Sequence, residues 1–381
     1  MLVLTFSLCY SQSSRIKRFV SLQHPLLLCR NFTSEISENH NDFTVNYLIN
    51  SCGLSPEGAI LTSKRTKLHS PERPDSALFF LRNHGFSQTQ ISKIVRSCPH
   101  VLHSDPDKIL LPKLEFFRSL GVSRECLAKV LERQPTLLSA SLENRIMPTY
   151  NFLKSMVSEK NVVSVFKSGS RIFVEGHCKN VVPNIEILKE SGMPQSCISL
   201  LLVHHPSTLM LKPAEIGKVV DEVKQLGFNL QISTSVMAIR ALCGKNRPVW
   251  NRSLQVYKRW GWSEDVVLSA FRRCPCCMTV SEKKIMLALE FVVIKMGWPS
   301  VMIAKAPVVM CYSLEKRFIP RCLVVKVLLL KGLVKDIENV SLCSVLVPTE
   351  ECFLERYVAR YKDEVPQLLS VYHGKVGVED V

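Results

Sequence analysis

Apolar residues recur at i, i+3 and i+4 in short segments, as in ISKIV (Ile91 to Val95) and CLAKVL (Cys126 to Leu131). That spacing predicts a series of helices, each with one buried stripe. The segments are bracketed by fixed landmarks. Gly85 and Pro99, Gly121 and Pro135, Gly192 and Pro206, and Gly261 and Pro275 all stand 14 residues apart. A glycine ends a helix in the left-handed conformation without a Cβ penalty. Ser87, Ser123 and Ser263 follow two residues later and can cap the next helix, and Gln90 completes a capping box with Ser87. Proline then stops that helix, because the residue before it is pushed out of the α region.

A second proline follows 13 residues after the first at Pro112, Pro148 and Pro320, at the start of another helix. The period is about 35 residues, as in stacked helical arrays, and each unit reads as two longer helices with a short one between. Such units cannot bury their faces alone and must stack. The expected fold is an all-α superhelical solenoid. Three units depart from the pattern, the last with Pro307 only ten residues after Gly297. The third has Arg171 where proline is expected, and the fifth has Ala241 fourteen residues after Gly227.

The landmarks divide the chain into a leader at 1–34, a polar linker with a short helix at 35–73, the array at 74–335, and a capping helix with a tail at 336–381. The leader carries Arg15, Lys17, Arg18 and Arg30, six serines and no acid, the composition of an organelle transit peptide. Mitochondrial targeting is expected, with the chloroplast as the alternative. No uncharged apolar run reaches the roughly 18 residues of a membrane span.

Charge changes the picture further. Residues 35–239 hold 23 basic and 19 acidic side chains, residues 240–335 hold 18 and 5, and residues 336–381 hold 4 and 9. The excess therefore sits in the last third of the array. Arg240, Lys245, Arg247, Arg252, Lys258 and Arg259 fall in a stretch with no acid. Lys108, Arg145, Lys284, Lys316 and Arg317 stand nine or ten residues after a first proline, which predicts a basic column along stacked units. Arg272 and Arg273 lie at a helix C-terminus, where a cation can cap the dipole or meet phosphate, and the doubled charge there tilts the reading toward phosphate. With Arg321, these residues form the candidate nucleic-acid-binding set. The competing reading is a solvated basic face.

Other chemistry is sparse. The residue after each unit's glycine is apolar (Phe86, Val122, Met193, Phe228, Trp262, Trp298), so Trp262 and Trp298 are expected in the core, while Trp250 and Tyr257 stay open. The 15 cysteines are scattered, and Cys274-Pro275-Cys276-Cys277 has no second pair at zinc-site spacing, so buried small hydrophobes are expected and no metal or cofactor. No Walker loop, GxGxxG turn or nucleophile elbow occurs, and no enzyme is expected.

The prolines of CPHVL, QPTLL, HPSTLM and CPCCM, the LPKLEFFRSLGV connection and the closing DEVPQLLSVYHGK resemble the mitochondrial transcription termination factor (mTERF) family, over roughly residues 40–374. The many cysteines and the leader look most like plant members. The resemblance implies a left-handed superhelix of three-helix repeats that binds nucleic acid, double-stranded DNA or RNA, in a positive inner groove. It implies a role in organellar transcription, its termination, or RNA processing, as a monomer, with organellar transcription or RNA-processing proteins as further partners. A pentatricopeptide array shares the period but needs no fixed proline. A helical-repeat scaffold for protein partners would show an apolar or mixed-charge groove.

Overall fold

The computed structural model describes residues 43–244, 246–334 and 341–381. The leader assigned to 1–34 lies outside them, as does Lys245. Among the described residues the regular structure is helical and no strand occurs.

Seven units follow one another. Unit one has a first helix Gln88–Ser97, a short helix Pro99–His103 and a third helix that starts at Pro106–Leu110 and continues as Leu111–Ser119. Unit two repeats this with Arg124–Arg133, Pro135–Leu138, and Leu142–Ile146 running into Met147–Met156. Unit six has Glu264–Arg273, Pro275–Thr279, and Glu282–Glu290 running into Phe291–Lys295. Unit seven has Val301–Lys305, Pro307–Cys311, and Leu314–Phe318 running into Ile319–Leu330.

The landmarks act as their chemistry dictates. Gly85, Gly121, Gly192, Gly227, Gly261 and Gly297 have φ between 71° and 92°. The next residue's N–H then reaches back to close the preceding helix, Phe86 to Leu81 O at 3.1 Å and Trp262 to Tyr257 O at 3.2 Å. That residue's side chain folds inward, leaving Trp262 and Trp298 each 5% exposed. Ser87, Ser123 and Ser263 cap the following helices, Ser87 with Gln90 as a reciprocal box. Residues before the first proline, such as Cys98 (φ −136°, ψ 71°) and Cys274 (φ −148°, ψ 90°), leave the helical region, and the proline opens the short helix.

First helices of successive units pack side by side from Gln88–Ser97 through Val301–Lys305, and their stripes merge into one continuous core. The first prolines are part of that core as well as terminators. Pro206 lies so close to Gly169 that a Cβ there would stand 2.2 Å from its Cγ.

Units three and five resolve differently. Unit three (Glu159–Gly169, Arg171–Glu175, Val181–Glu190) keeps its short helix although Arg171 replaces proline. Unit five has only Thr234–Leu242 and Asn246–Arg259, with no short helix between them. Between them, unit four (Gln195–His204, Pro206–Leu209, Pro213–Gln225) follows the full pattern.

Both ends differ from expectation. The stretch read as a polar linker with one short helix forms two, Phe43–Asn50 and Pro56–Ser63, ahead of Glu72–Asn83 at the start of the array, and places Leu48, Cys52, Leu54 and Ala59 in the core. Uncharged polar residues between its members, such as Asn46, Asn50 and Ser51, hid that stripe. The terminal cap is several short helices, Leu342–Leu346, Glu350–Tyr357 and Leu368–Tyr372, packed against Ile319–Leu330, rather than one amphipathic helix. Proline and turn residues break it up.

Candidate nucleic-acid interface

The third helices of units one, two, six and seven begin one residue after a cap: Asp105, Ser141, Ser281 and Ser313 accept hydrogen bonds from the first turn. The expected basic column combines two registers on that turn. Lys108, Lys284 and Lys316 stand three residues after the cap, whereas Arg145 and Arg317 stand four after it. One step on a helix is about 100° of rotation, enough to change which neighbour a side chain meets.

The later register points into the next unit. Arg145 donates to Val174 O at 3.2 Å and Glu175 O at 2.8 Å, the end of unit three's short helix. Arg317 donates to Val347 O at 3.3 Å and to Pro348 O, with its guanidinium over the Tyr312 ring. These arginines satisfy carbonyls that a helix end leaves orphaned. They clamp unit to unit. The earlier register is different. Among the described residues, Lys108, Lys284 and Lys316 have neither a carboxylate nor a carbonyl partner for their ammonium groups, and Lys108 and Lys316 are exposed.

Arg321 corrects the candidate set most clearly. It is 1% exposed, and one guanidinium nitrogen donates to Val345 O (3.1 Å), Leu346 O (3.4 Å) and Pro348 O (2.7 Å) while the group lies over the Phe353 ring. It fastens the terminal cap and cannot reach a polyanion. The same place, directly after the second proline, holds Lys113, which donates to Leu138 O, and Asn184, which donates to Leu209 O and Leu211 O at 2.8 Å each. Thr149 occupies it in unit two and meets His177 at 3.4 Å. Burial pulls the Lys113 ammonium below its ordinary pKa. A polar residue after each of these prolines is the sequence signal for this inter-unit latch.

The helix C-terminal arginines Arg272, Arg273 and Arg133 each donate to a carbonyl of another unit. Arg272 donates to Leu226 O at 2.7 Å and Arg273 to Lys305 O at 2.9 Å, as Arg133 does to Lys167 O at 2.6 Å. The first two remain exposed, with further N–H groups facing solvent.

The acid-free run from Arg240 to Trp260 acquires acids from elsewhere. Arg247 forms a two-pronged pair with Glu222 of unit four, Arg252 pairs with Glu282 of unit six at 2.8 Å, and Lys258 pairs with Glu264 at 3.0 Å. Glu222 raises the Arg247 pKa further. Arg240 and Arg259 have no such partner among the described residues. Arg259 ends its helix, about 10 Å along the axis beyond Arg252.

The two aromatics left open by the sequence, Tyr257 and Trp250, pack inward. Tyr257 is fully buried, stacks on Trp262 at 4.4 Å and donates to Cys277 O, and Trp250 meets the Phe271 edge at 6.1 Å. The cations left over can grip phosphate, which is how such surfaces position themselves on nucleic acid.

A mTERF family model matches residues 78–245 and 241–354, most of the seven-unit array and the start of the cap. The chain belongs to the mTERF family. No curated protein matches it. The mTERF family is a group of helical-repeat proteins associated with organellar nucleic-acid binding and transcription regulation. In this mTERF protein, no helix among the described residues is long and apolar enough to cross a membrane.

One cluster lies outside this basic surface. The Sγ atoms of Cys274, Cys276 and Cys311 all lie within 4.8 Å of one another. Sequence spacing concealed it, because Cys311 arrives from the next unit. Hydrogen bonds from Cys274 and Cys311 stabilise a Cys276 thiolate and hold its pKa far below the usual range, with Arg240 and His205 adding to the effect. Cys277 and Cys322 are buried, as small hydrophobes would be.

Proposed function

We propose that this mTERF protein regulates organellar transcription, its termination or RNA processing by holding the phosphate backbone of double-stranded DNA or of RNA. Lys284, Lys316, Arg240 and Arg259 are the principal contacts, and Lys108 extends the track toward unit one. The observation that carries this reading is the charge left unpaired in units five to seven. Residues 240–335 hold 18 basic and 5 acidic side chains, and after the inter-unit joints have taken theirs these cations still face no acid. A concentrated field of one sign steers polyanions. Phosphate contacts by these cations are of the sequence-independent kind.

Targeting belongs to the same reading. The acid-free leader directs the chain to mitochondria. Residues 1–45 fused to a fluorescent reporter should give a mitochondrial signal, and a chloroplast signal would move the assignment there.

Binding is tested through its salt dependence. Log K should fall linearly with log salt, with a slope of about −0.9 per neutralised phosphate for duplex and about −0.7 for single strands. Arg259, Lys284 and Lys316 changed together to Ala should flatten the slope by roughly 2–3 units. The same number of changes at Lys93, Lys129 and Lys154 should alter it little. Equal losses in the two triple variants would remove the assignment of contacts to units five to seven. No binding by the wild-type chain would favour a scaffold for protein partners.

A further inference from the structure

We propose that Cys274, Cys276 and Cys311 form a binding site for a thiophilic metal ion, with Zn2+ the best match, that fastens unit six to unit seven. The fold supplies the meeting point. Cys274 is the extended residue before Pro275, Cys276 is the second residue of the short helix Pro275–Thr279, and Cys311 ends the next unit's short helix Pro307–Cys311. Those two short helices pack together. Unit one and unit two make the same juxtaposition with other letters. There Cys98, before Pro99, meets Ser139, four residues after Pro135, at 2.8 Å between Sγ and Oγ. The architecture thus brings these positions face to face, and only the junction of units six and seven fills them with thiols. The corresponding residues of unit two, Gln134 and Thr136, carry none.

The dimensions suit a tetrahedral d10 ion. Zn–S bonds of about 2.3 Å place sulfurs ~3.8 Å apart, so three Sγ atoms within 4.8 Å of one another need only sub-ångström shifts. Cys311 is exposed and Cys274 and Cys276 are half-buried, which gives an ion an entry path and leaves its fourth position to solvent. Three thiolates around Zn2+ carry a net charge of −1, and the unpaired Arg240 guanidinium, close enough to act on Cys276, balances it. Soft thiolate donors select Zn2+ or Cu+ over hard cations. On binding, Cys276 enters as the thiolate, the Cys274 and Cys311 S–H protons pass to solvent, and three S–Zn bonds form.

The test uses the full chain, purified with a non-thiol reductant, stripped with chelator and given Zn2+ alone. Elemental analysis after gel filtration should find one zinc per chain, and Zn2+ should raise the melting temperature. Zn2+ should also protect Cys274, Cys276 and Cys311 from alkylation, read by peptide mass spectrometry, while the exposed Cys178 and Cys352 react as before. Cys276→Ser and Cys311→Ser should lose the metal, and Cys178→Ser should keep it. The alkylation map needs no variant, so a misfolded mutant does not shelter the proposal. Retention of zinc by Cys311→Ser, unprotected thiols in the wild type, or a Cys276–Cys311 disulfide with no zinc uptake would each overturn it.

Discussion

Units one to four and units five to seven share a scaffold and differ in what their cations do. In the first group, Lys93 meets Glu132, Lys154 meets Glu159, Arg171 meets Glu175, and Arg133 and Arg145 cap carbonyls of the next unit. In the second group the same joints exist, made by Arg273, Arg317 and Arg321, and Arg240, Arg259, Lys284 and Lys316 remain over where acids are few. Lys108, left over in unit one, lies instead in a nearly charge-balanced stretch. The difference teaches that net charge along a sequence measures two things at once. A stacked array needs cations to close its helix ends, and only the surplus forms a surface for a polyanion. Lys316 and Arg317, neighbours in the chain, fall on opposite sides of that division.

The sharpest test of the division is Arg321→Ala. Removing a buried guanidinium orphans three carbonyls and opens a cavity beside Phe353, at a cost of about 3–5 kcal/mol in chemical denaturation. Nucleic-acid affinity measured well below the melt should stay near wild type. A large affinity loss in the folded variant would erase the boundary between joint and contact.

A smaller effect probes the front of the array. Gly169→Ala should destabilise by about 1–3 kcal/mol, because the new Cβ would overlap Pro206. Gly217→Ala, in a third helix with nothing within 4 Å of the added Cβ, should instead stabilise by about 0.4–1 kcal/mol. Thermal melts of the pair decide it, and equal shifts would deny Pro206 its packing role.

Arg145→Ala should cost about 1 kcal/mol, the usual net worth of an exposed hydrogen-bonded joint, while Lys108→Ala should cost nothing measurable in the same denaturation experiment. Reversed values would mean that the two registers of the third helix were assigned the wrong way round.

The smallest effect is one of pH. His177 stacks on Phe152 at 4.4 Å, and burial holds its pKa below the ordinary 6.5. As pH falls the unfolded chain takes up the proton first, so this contribution is complete above about pH 6.5 and declines toward the folded-state value. His177→Phe should show a flatter melting temperature between pH 7 and pH 5. An unchanged slope would place the acid sensitivity elsewhere.

The sequence by itself determined the period, the turns and the inward-facing residues. Gly121, Ser123 and Pro135 act through their own backbone chemistry, and Val122 and Leu131 through hydrophobicity, so their roles follow from local order. Which cations are free was settled only by stacking. Arg252 meets Glu282, Arg321 meets Pro348 and Cys276 meets Cys311, each about one repeat away, because a solenoid sets every residue beside its counterpart in the next unit. A linear reading counts charges and thiols within a segment. Their partners lie one unit further along the chain, and one step of helical rotation decides whether a side chain turns to that neighbour or to solvent.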